Sequence, residues 1–141
     1  MFTDAELRYL RGGQQLGRIA TVGADGTPHV VPVGWIYNAA RETIDVGGRD
    51  LERSKKFRDV ARGGRVAIVI DDLESTDPWR PRGIEVRGRA ELHSEGGEKF
   101  GPGWDAAWIR IVPTRIVSWG IEGLAFSAGS RSARSVGGLS S

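Results

Sequence analysis

Lys55, Lys56, Arg58 and the glycine pair Gly47 and Gly48 all fall in the stretch Thr43 to Arg65, TIDVGGRDLERSKKFRDVARGGR. The pattern reads as a strand ending without side-chain bulk, a basic turn, and a short helix opening on two ammonium groups. Backbone amides, the positive end of a helix dipole and fixed cations then converge, which suits a phosphate. A solvated basic helix face accounts for the same charges, and the stretch taken alone favours that plainer reading.

Little else in the chain carries chemistry of its own. There is no GxGxxG, P-loop, HExxH or GxSxG pattern, and two histidines are too few for an ordinary histidine-based metal site, so no metal is expected. His29 shares a strand face with Val31 and Val33 and reads as a half-buried histidine. His93 follows a strand and has no companion. Asp71 and Asp72 are adjacent on a strand end, so their side chains point to opposite faces and do not form an acid/base pair. The five tryptophans, Trp35, Trp79, Trp104, Trp108 and Trp119, each cover a large apolar area. Trp79, set between Pro78 and Pro81, is either a loop anchor or the wall of a pocket for a flat ligand. A chain with no nucleophile or base, a phosphate cradle and aromatic walls suits an enzyme whose cofactor carries the reaction.

The elements that position these residues follow from period and punctuation. Thr3 and Glu6 form a capping box for a helix from Asp4 to about Arg11, stopped by Gly12 and Gly13. From Gly17 the period changes to two: GRIATVG is a strand, residues 24–27 a tight turn, and His29 to Tyr37 the antiparallel return. On one face of that return lie Val30, Pro32, Gly34 and Ile36. A proline and a glycine so placed mark an edge, or a place where something flat lies against the backbone. A strand Thr43 to Val46 precedes the basic helix. RVAIVI, Arg65 to Ile70, is expected to be the most buried strand. Asp71 to Arg82 reads as a proline-stiffened loop, GIEVRGRAELH as a strand with one wet face, and WIRIVP and RIVSWG as two short strands parted by Pro113. About six short strands with two small helices point to a closed or nearly closed antiparallel β-barrel.

At 141 residues the chain is one domain, read as residues 1–122, followed by a Gly/Ser/Arg-rich tail, 123–141, expected to be flexible or loosely docked. The apolar share of 39%, charged share of 27% and net charge of +2 describe a globular chain. The charge is too balanced for a nucleic-acid binder. No window reaches the roughly 20 apolar residues of a membrane helix, and no leader pattern opens the chain, so the expected location is the cytoplasm. Without cysteine, disulfides, thiol nucleophiles and iron-sulfur clusters are excluded.

The segments LGRIATVGADGTPHVVPVGW, TIDVGG, SKKFRDV, RVAIVIDDL, DPWRPRGIEVRGRAEL and IRIVPTRIVSWG, in that order, resemble the flavin/deazaflavin split-barrel family, the pyridoxamine-phosphate-oxidase-like proteins. They cover Leu16 to Gly120 apart from connecting loops. Within the family, the DPWRPRG segment and the SWG ending are similar to an actinobacterial branch that uses coenzyme F420, and to its small reductases of tetracycline-type antibiotic pathways.

The resemblance implies a Greek-key, FMN-binding-like split barrel that dimerises. It implies F420, or alternatively FMN, as cofactor, and hydride transfer to an activated C=C bond of an enone such as a dehydrotetracycline. No protein residue is assigned a catalytic role. The family's phosphate-binding Lys-x-x-Asn falls on Lys56-Phe57-Arg58-Asp59, beside Ser54 and Lys55, with Asp59 standing where the family has asparagine. Pro32, Val33, Gly34 and Trp35 match the strand along the cofactor ring, and Gly47 and Gly48 match the backbone approach to its linker. Trp79 and Arg82 are the expected contribution to the ring, the substrate or the second subunit's site. An FMN-dependent oxidoreductase and a non-catalytic cofactor-binding barrel stand as the alternatives.

Overall fold

A computed structural model describes residues 1–13, 16–49, 58–60, 64–121 and 131–137. The chain opens with helix α1, Asp4–Leu10. The expected capping box is present: the Thr3 hydroxyl accepts from the Glu6 amide at 3.1 Å, and the Glu6 carboxylate accepts from the Thr3 amide at 2.9 Å. This satisfies two of the orphan donors at the helix start. The buried side of α1 carries Glu6, Tyr9 and Leu10.

Seven antiparallel strands follow: β1 Gly17–Val22, β2 Pro28–Asn38, β3 Thr43–Gly47, β4 Arg65–Thr76, β5 Trp79–His93, β6 Trp108–Trp119 and β7 Arg131–Ser135. Their order is β3-β2-β1-β4-β5-β6-β7, and a further pairing of β3 with β6 closes the first six into a ring. Closure runs through Ile44 with Ile111, Asp45 with Arg110, and Val46 with Ile109. This is the antiparallel split-barrel class expected from the strand pattern, with seven strands. Alternation puts Ile19, Ile68, Ile70, Ile84 and Val86 inside, where they meet Ile44, Ile109 and Ile111 in one core.

Four local readings change in three dimensions. Asp71 to Arg82 is a β-ribbon, because β4 runs on to Thr76 and pairs with β5 from Trp79. Cross-strand pairing of Asp72 with Arg82 supports it, and a register shift between Leu73 and Ser75 lies beside Pro81, which has no amide hydrogen for the ladder. Residues 108–119 form one strand, since Pro113 is absorbed by a bulge opposite Arg87 and Gly88. A Cβ on Gly88 would lie 2.2 Å from the Val112 carbonyl oxygen, so the bulge leaves no room for a side chain there. The most buried strand is β3, every residue of which is buried, whereas Ala67 and Val69 of β4 are half-buried. Both strands are paired on two edges, and what sets β3 apart is the cover on its outer side, where Trp104 and Phe100 lie on Gly47 and Arg110 holds Asp45. Finally, Arg131 to Ser135, in the segment whose composition suggests a flexible tail, pairs as β7 with Arg115 to Trp119 of β6.

Candidate functional site

The corner where β2 and β3 run side by side is built on glycine. Gly34 and Gly47 are cross-strand partners, and the indole of Trp104 lies directly on both. A Cβ on Gly34 would come within 2.6 Å of Trp104 Cη2, and one on Gly47 within 2.4 Å of Trp104 Cε3. Something flat does lie against this backbone, and it is the chain's own tryptophan.

The segment that carries Trp104 begins with a single 3-10 turn, Gly97–Phe100. Trp104 donates its amide hydrogen to the Gly101 carbonyl at 3.3 Å, and Asp105 donates to the Gly48 carbonyl at 2.9 Å. Phe100 leans on the indole with ring centroids 5.9 Å apart. Gly48, by contrast, has no neighbour within 4 Å of a built Cβ among the described residues. The Arg49 guanidinium rests against Gly103, where a Cβ would be 3.2 Å away.

Behind this corner lies a buried polar network on the outer side of the ring. Arg110 donates to Asp45 through Nε at 3.1 Å and Nη2 at 3.2 Å, and Asn38 and Thr43 donate to the same carboxylate. Trp108 sits beside it, with the Arg110 guanidinium 4.7 Å from its ring centroid, and His93 stacks on it at 4.1 Å. The Trp108 indole nitrogen donates to the Glu95 carbonyl at 2.7 Å. Asn38, Thr43, Asp45 and Arg110 hold one another, whereas His93 Nε2 is buried without a hydrogen-bond partner among the described residues.

The residues assigned from sequence scatter around this corner. Pro32 is exposed, Val33 is in the core, and Trp35 is half-buried, its indole N–H buried without a hydrogen-bond partner among the described residues. Gly34 and Gly47 seat Trp104, and Gly48 is open. Ser54, Lys55 and Lys56 lie outside the described residues. Asp59 is buried and accepts a hydrogen bond from the Thr21 hydroxyl at 3.1 Å, so its carboxylate helps cover the barrel end.

Trp79, 65% exposed, begins β5 at the tip of the ribbon. Arg82 is engaged with Asp72 in a two-point pair, at 2.8 and 3.1 Å, and lies over the Tyr9 ring. Its hydrogen bond to Asp72 raises its pKa. Burial and a 2.8 Å hydrogen bond to Asp72 push the Tyr9 phenol up as well, so Tyr9 keeps its proton.

Sequence reasoning passed over Trp104 and Arg49. The signal was present in the two glycines, which line up across β2 and β3, but only pairing of the strands reveals the alignment. Pro32, Gly48, Arg49 and Trp104 together form a corner that suits the edge of a flat, anionic group, while the glycine faces themselves are taken. Among the described residues no group of three or more His, Cys, Asp and Glu could hold a metal ion. No helix among them is long and apolar enough to cross a membrane.

A ring of six antiparallel strands with a seventh appended defines a split barrel. Residues 3–123 match the profile of the pyridoxamine 5'-phosphate oxidase family, and the chain belongs to that family. It is 48% identical over 122 residues, 86% of this chain and 85% of the other, to the 5a,11a-dehydrotetracycline/5a,11a-dehydrooxytetracycline reductase of Streptomyces rimosus.

Among solved structures it is similar to an F420 reductase, with a TM-score of 0.60 and 22% identity over 77% of this chain and 94% of that one. It is also similar to a heme binding protein from Mycobacterium smegmatis, with a TM-score of 0.64 and 17% identity over 96% of this chain and 59% of that one. At such identities the fold alone is shared, and it serves more than one cofactor.

Proposed function

We propose that this chain is an F420-dependent reductase acting on the activated C=C bond of a polycyclic enone, of the dehydrotetracycline type, in antibiotic biosynthesis. The observation that carries the reading is the 48% identity, over most of both chains, to a dehydrotetracycline reductase. The glycine and tryptophan corner supports it, because a flat ring has an aromatic wall and open backbone at Gly48 to lie against.

F420, held in its reduced form, would supply a hydride for the electrophilic carbon of the enone. The chain's own part is binding and orientation. Ser54, Lys55 and Lys56 are assigned by sequence to the phosphate of the cofactor tail. Pro32, Gly48 and Trp104 orient the flat groups. Holding two reactants in contact removes up to about 7–11 kcal/mol of barrier in favourable systems. Tyr9 is not an acid for the reaction, since its hydroxyl is committed to Asp72. The proton that completes the reduction comes from water.

Titration of the full chain with F420 and, in parallel, with FMN tests this reading. Saturable binding of F420 with FMN much weaker is expected, together with weakened F420 binding in the Lys55→Ala/Lys56→Ala variant. A preference for FMN moves the chain to an FMN-dependent oxidoreductase, and binding of neither discards the cofactor reading. Reaction of reduced F420 with a dehydrotetracycline, followed by the return of the oxidised cofactor's visible absorption, then identifies the substrate.

The working unit is proposed to be a cytoplasmic homodimer. On the outer face of the ring Val30 is 65% exposed and Val22 52%. Val30 pairs with Ala20, and Ala20 in turn with Ala67, so these apolar residues are contiguous across three strands with Pro32 alongside. A patch of this kind on a small domain marks a contact surface. Sedimentation equilibrium should give twice the chain mass, with Val30→Glu shifting it to the monomer. A monomeric wild type overturns the assignment.

A further inference from the structure

The reading above places a flat ring at the β2–β3 corner, and the inference here rests on it. We propose that Trp104 and Arg49 form the site for the ring itself, one that takes a planar ligand bearing an ionised oxygen. Gly34 and Gly47 seat the indole and do not touch the ligand.

Steric contact makes the first step. A Cβ on either glycine would come within 2.6 Å of the indole, so the two faces that a bare strand would offer to a cofactor are filled. Trp104 is also held too firmly to be a loose plug. Its own amide is bonded to Gly101, its neighbour Asp105 is bonded to Gly48, and Phe100 packs against its ring. A fixed and half-buried indole is a wall, and its uncovered side is where a second ring gains stacking and apolar contact.

Charge makes the second step. Arg49 lies against Gly103, the residue before Trp104, and its side chain is exposed with no carboxylate partner among the described residues. The planar guanidinium is more weakly hydrated than an ammonium and meets an oxyanion through a fork of parallel donors. Gly48, next to Arg49, has nothing within 4 Å of a built Cβ among the described residues, so the ligand can approach the backbone there. An indole, and against the residue that precedes it a guanidinium with no partner among the described residues, select planar anions over neutral rings. The deazaflavin of F420 carries an ionisable phenolic oxygen on its ring, whereas the FMN ring carries a methyl group there.

The full chain and its Trp104→Phe, Trp104→Leu and Arg49→Gln variants are titrated with F420, with the tail-free hydroxydeazaflavin riboside and with FMN. Dissociation constants and the shift of the ligand's visible absorption band are read, with a thermal melt of each variant. Trp104→Leu is expected to raise the Kd of both deazaflavins roughly tenfold to a hundredfold and to abolish the band shift, with Trp104→Phe between it and wild type. Arg49→Gln is expected to weaken both deazaflavins and leave FMN unchanged.

If the Trp104→Leu variant does not fold, the Phe variant and the exposed Arg49 carry the test. Wild-type affinities in Trp104→Phe and Arg49→Gln overturn the site while leaving the reductase reading intact. A loss in Arg49→Gln confined to F420, sparing the riboside, places Arg49 on the tail and overturns it too. No binding of any ligand by the wild type overturns both.

Discussion

Arg134→Ala is expected to cost about 3 kcal/mol or more of folding stability at neutral pH, because it strands a buried carboxylate. Glu6 is 0% exposed, and Arg134 from β7 pairs with it while also donating to the Met1 carbonyl. The single guanidinium thus ties the last described strand to the first helix. Burial alone would raise the Glu6 pKa, but hydrogen bonds from Arg134, Ser118 and Thr3 more than offset it and hold the carboxyl below its ordinary 4.5.

The sign of the pH dependence follows. A carboxyl depressed in the folded state binds fewer protons than in the unfolded chain, so its contribution is present above pH 4.5 and is lost as pH falls through the folded value. The gap between wild type and Arg134→Ala should therefore be widest near pH 7 and shrink on acidification below the carboxylate range. Urea melts at several pH values read this directly. A loss below about 0.5 kcal/mol at pH 7, the ordinary effect of a surface substitution, would show that β7 does not clamp α1.

Arg110→Ala should be as damaging, at about 3–5 kcal/mol, for the same reason at the other end of the ring. Asp45 is 1% exposed, and the pair it makes with Arg110 sits on the β3–β6 seam that closes the barrel. Asn38 and Thr43 would still donate to the carboxylate, but neither carries charge. Replacing both members, as Asp45→Leu/Arg110→Met, removes the uncompensated charge together with its partner. The double variant is expected to recover most of the loss, giving a coupling of more than 1 kcal/mol in a double-mutant cycle. Additive losses would mean that the pair does not act as a unit. Far-UV spectra and denaturant midpoints of the four proteins decide it.

Much of the local structure was legible in the residues. Thr3 and Glu6 announced α1 because a capping box needs only four consecutive residues. Strands β1 to β3 showed their period of two, and Gly34 was read as a place for something flat. The longer strands were misread wherever a proline stood in them. Pro113 reads as a break, yet a bulge carries β6 past it. Pro78 and Pro81 suggested a loop, yet Asp72 and Arg82 pair across a ribbon. A proline forbids one ladder hydrogen bond, and the partner strand decides whether that bond was needed.

By itself, the sequence determined the start of α1, the all-antiparallel class, the absence of thiol chemistry and the glycines of the β2–β3 corner. These depend on side-chain type and on neighbours a few residues away. Tertiary structure alone decided that Asp45 meets Arg110, that Arg134 reaches Glu6, that β3 is the most buried strand, and that Trp104 occupies the glycine seat. Each of those joins residues far apart in the chain, 65 positions for Arg110 and Asp45 and 128 for Arg134 and Glu6. Periodicity reports which face of a strand a residue is on, and closure of the ring reports what covers that face.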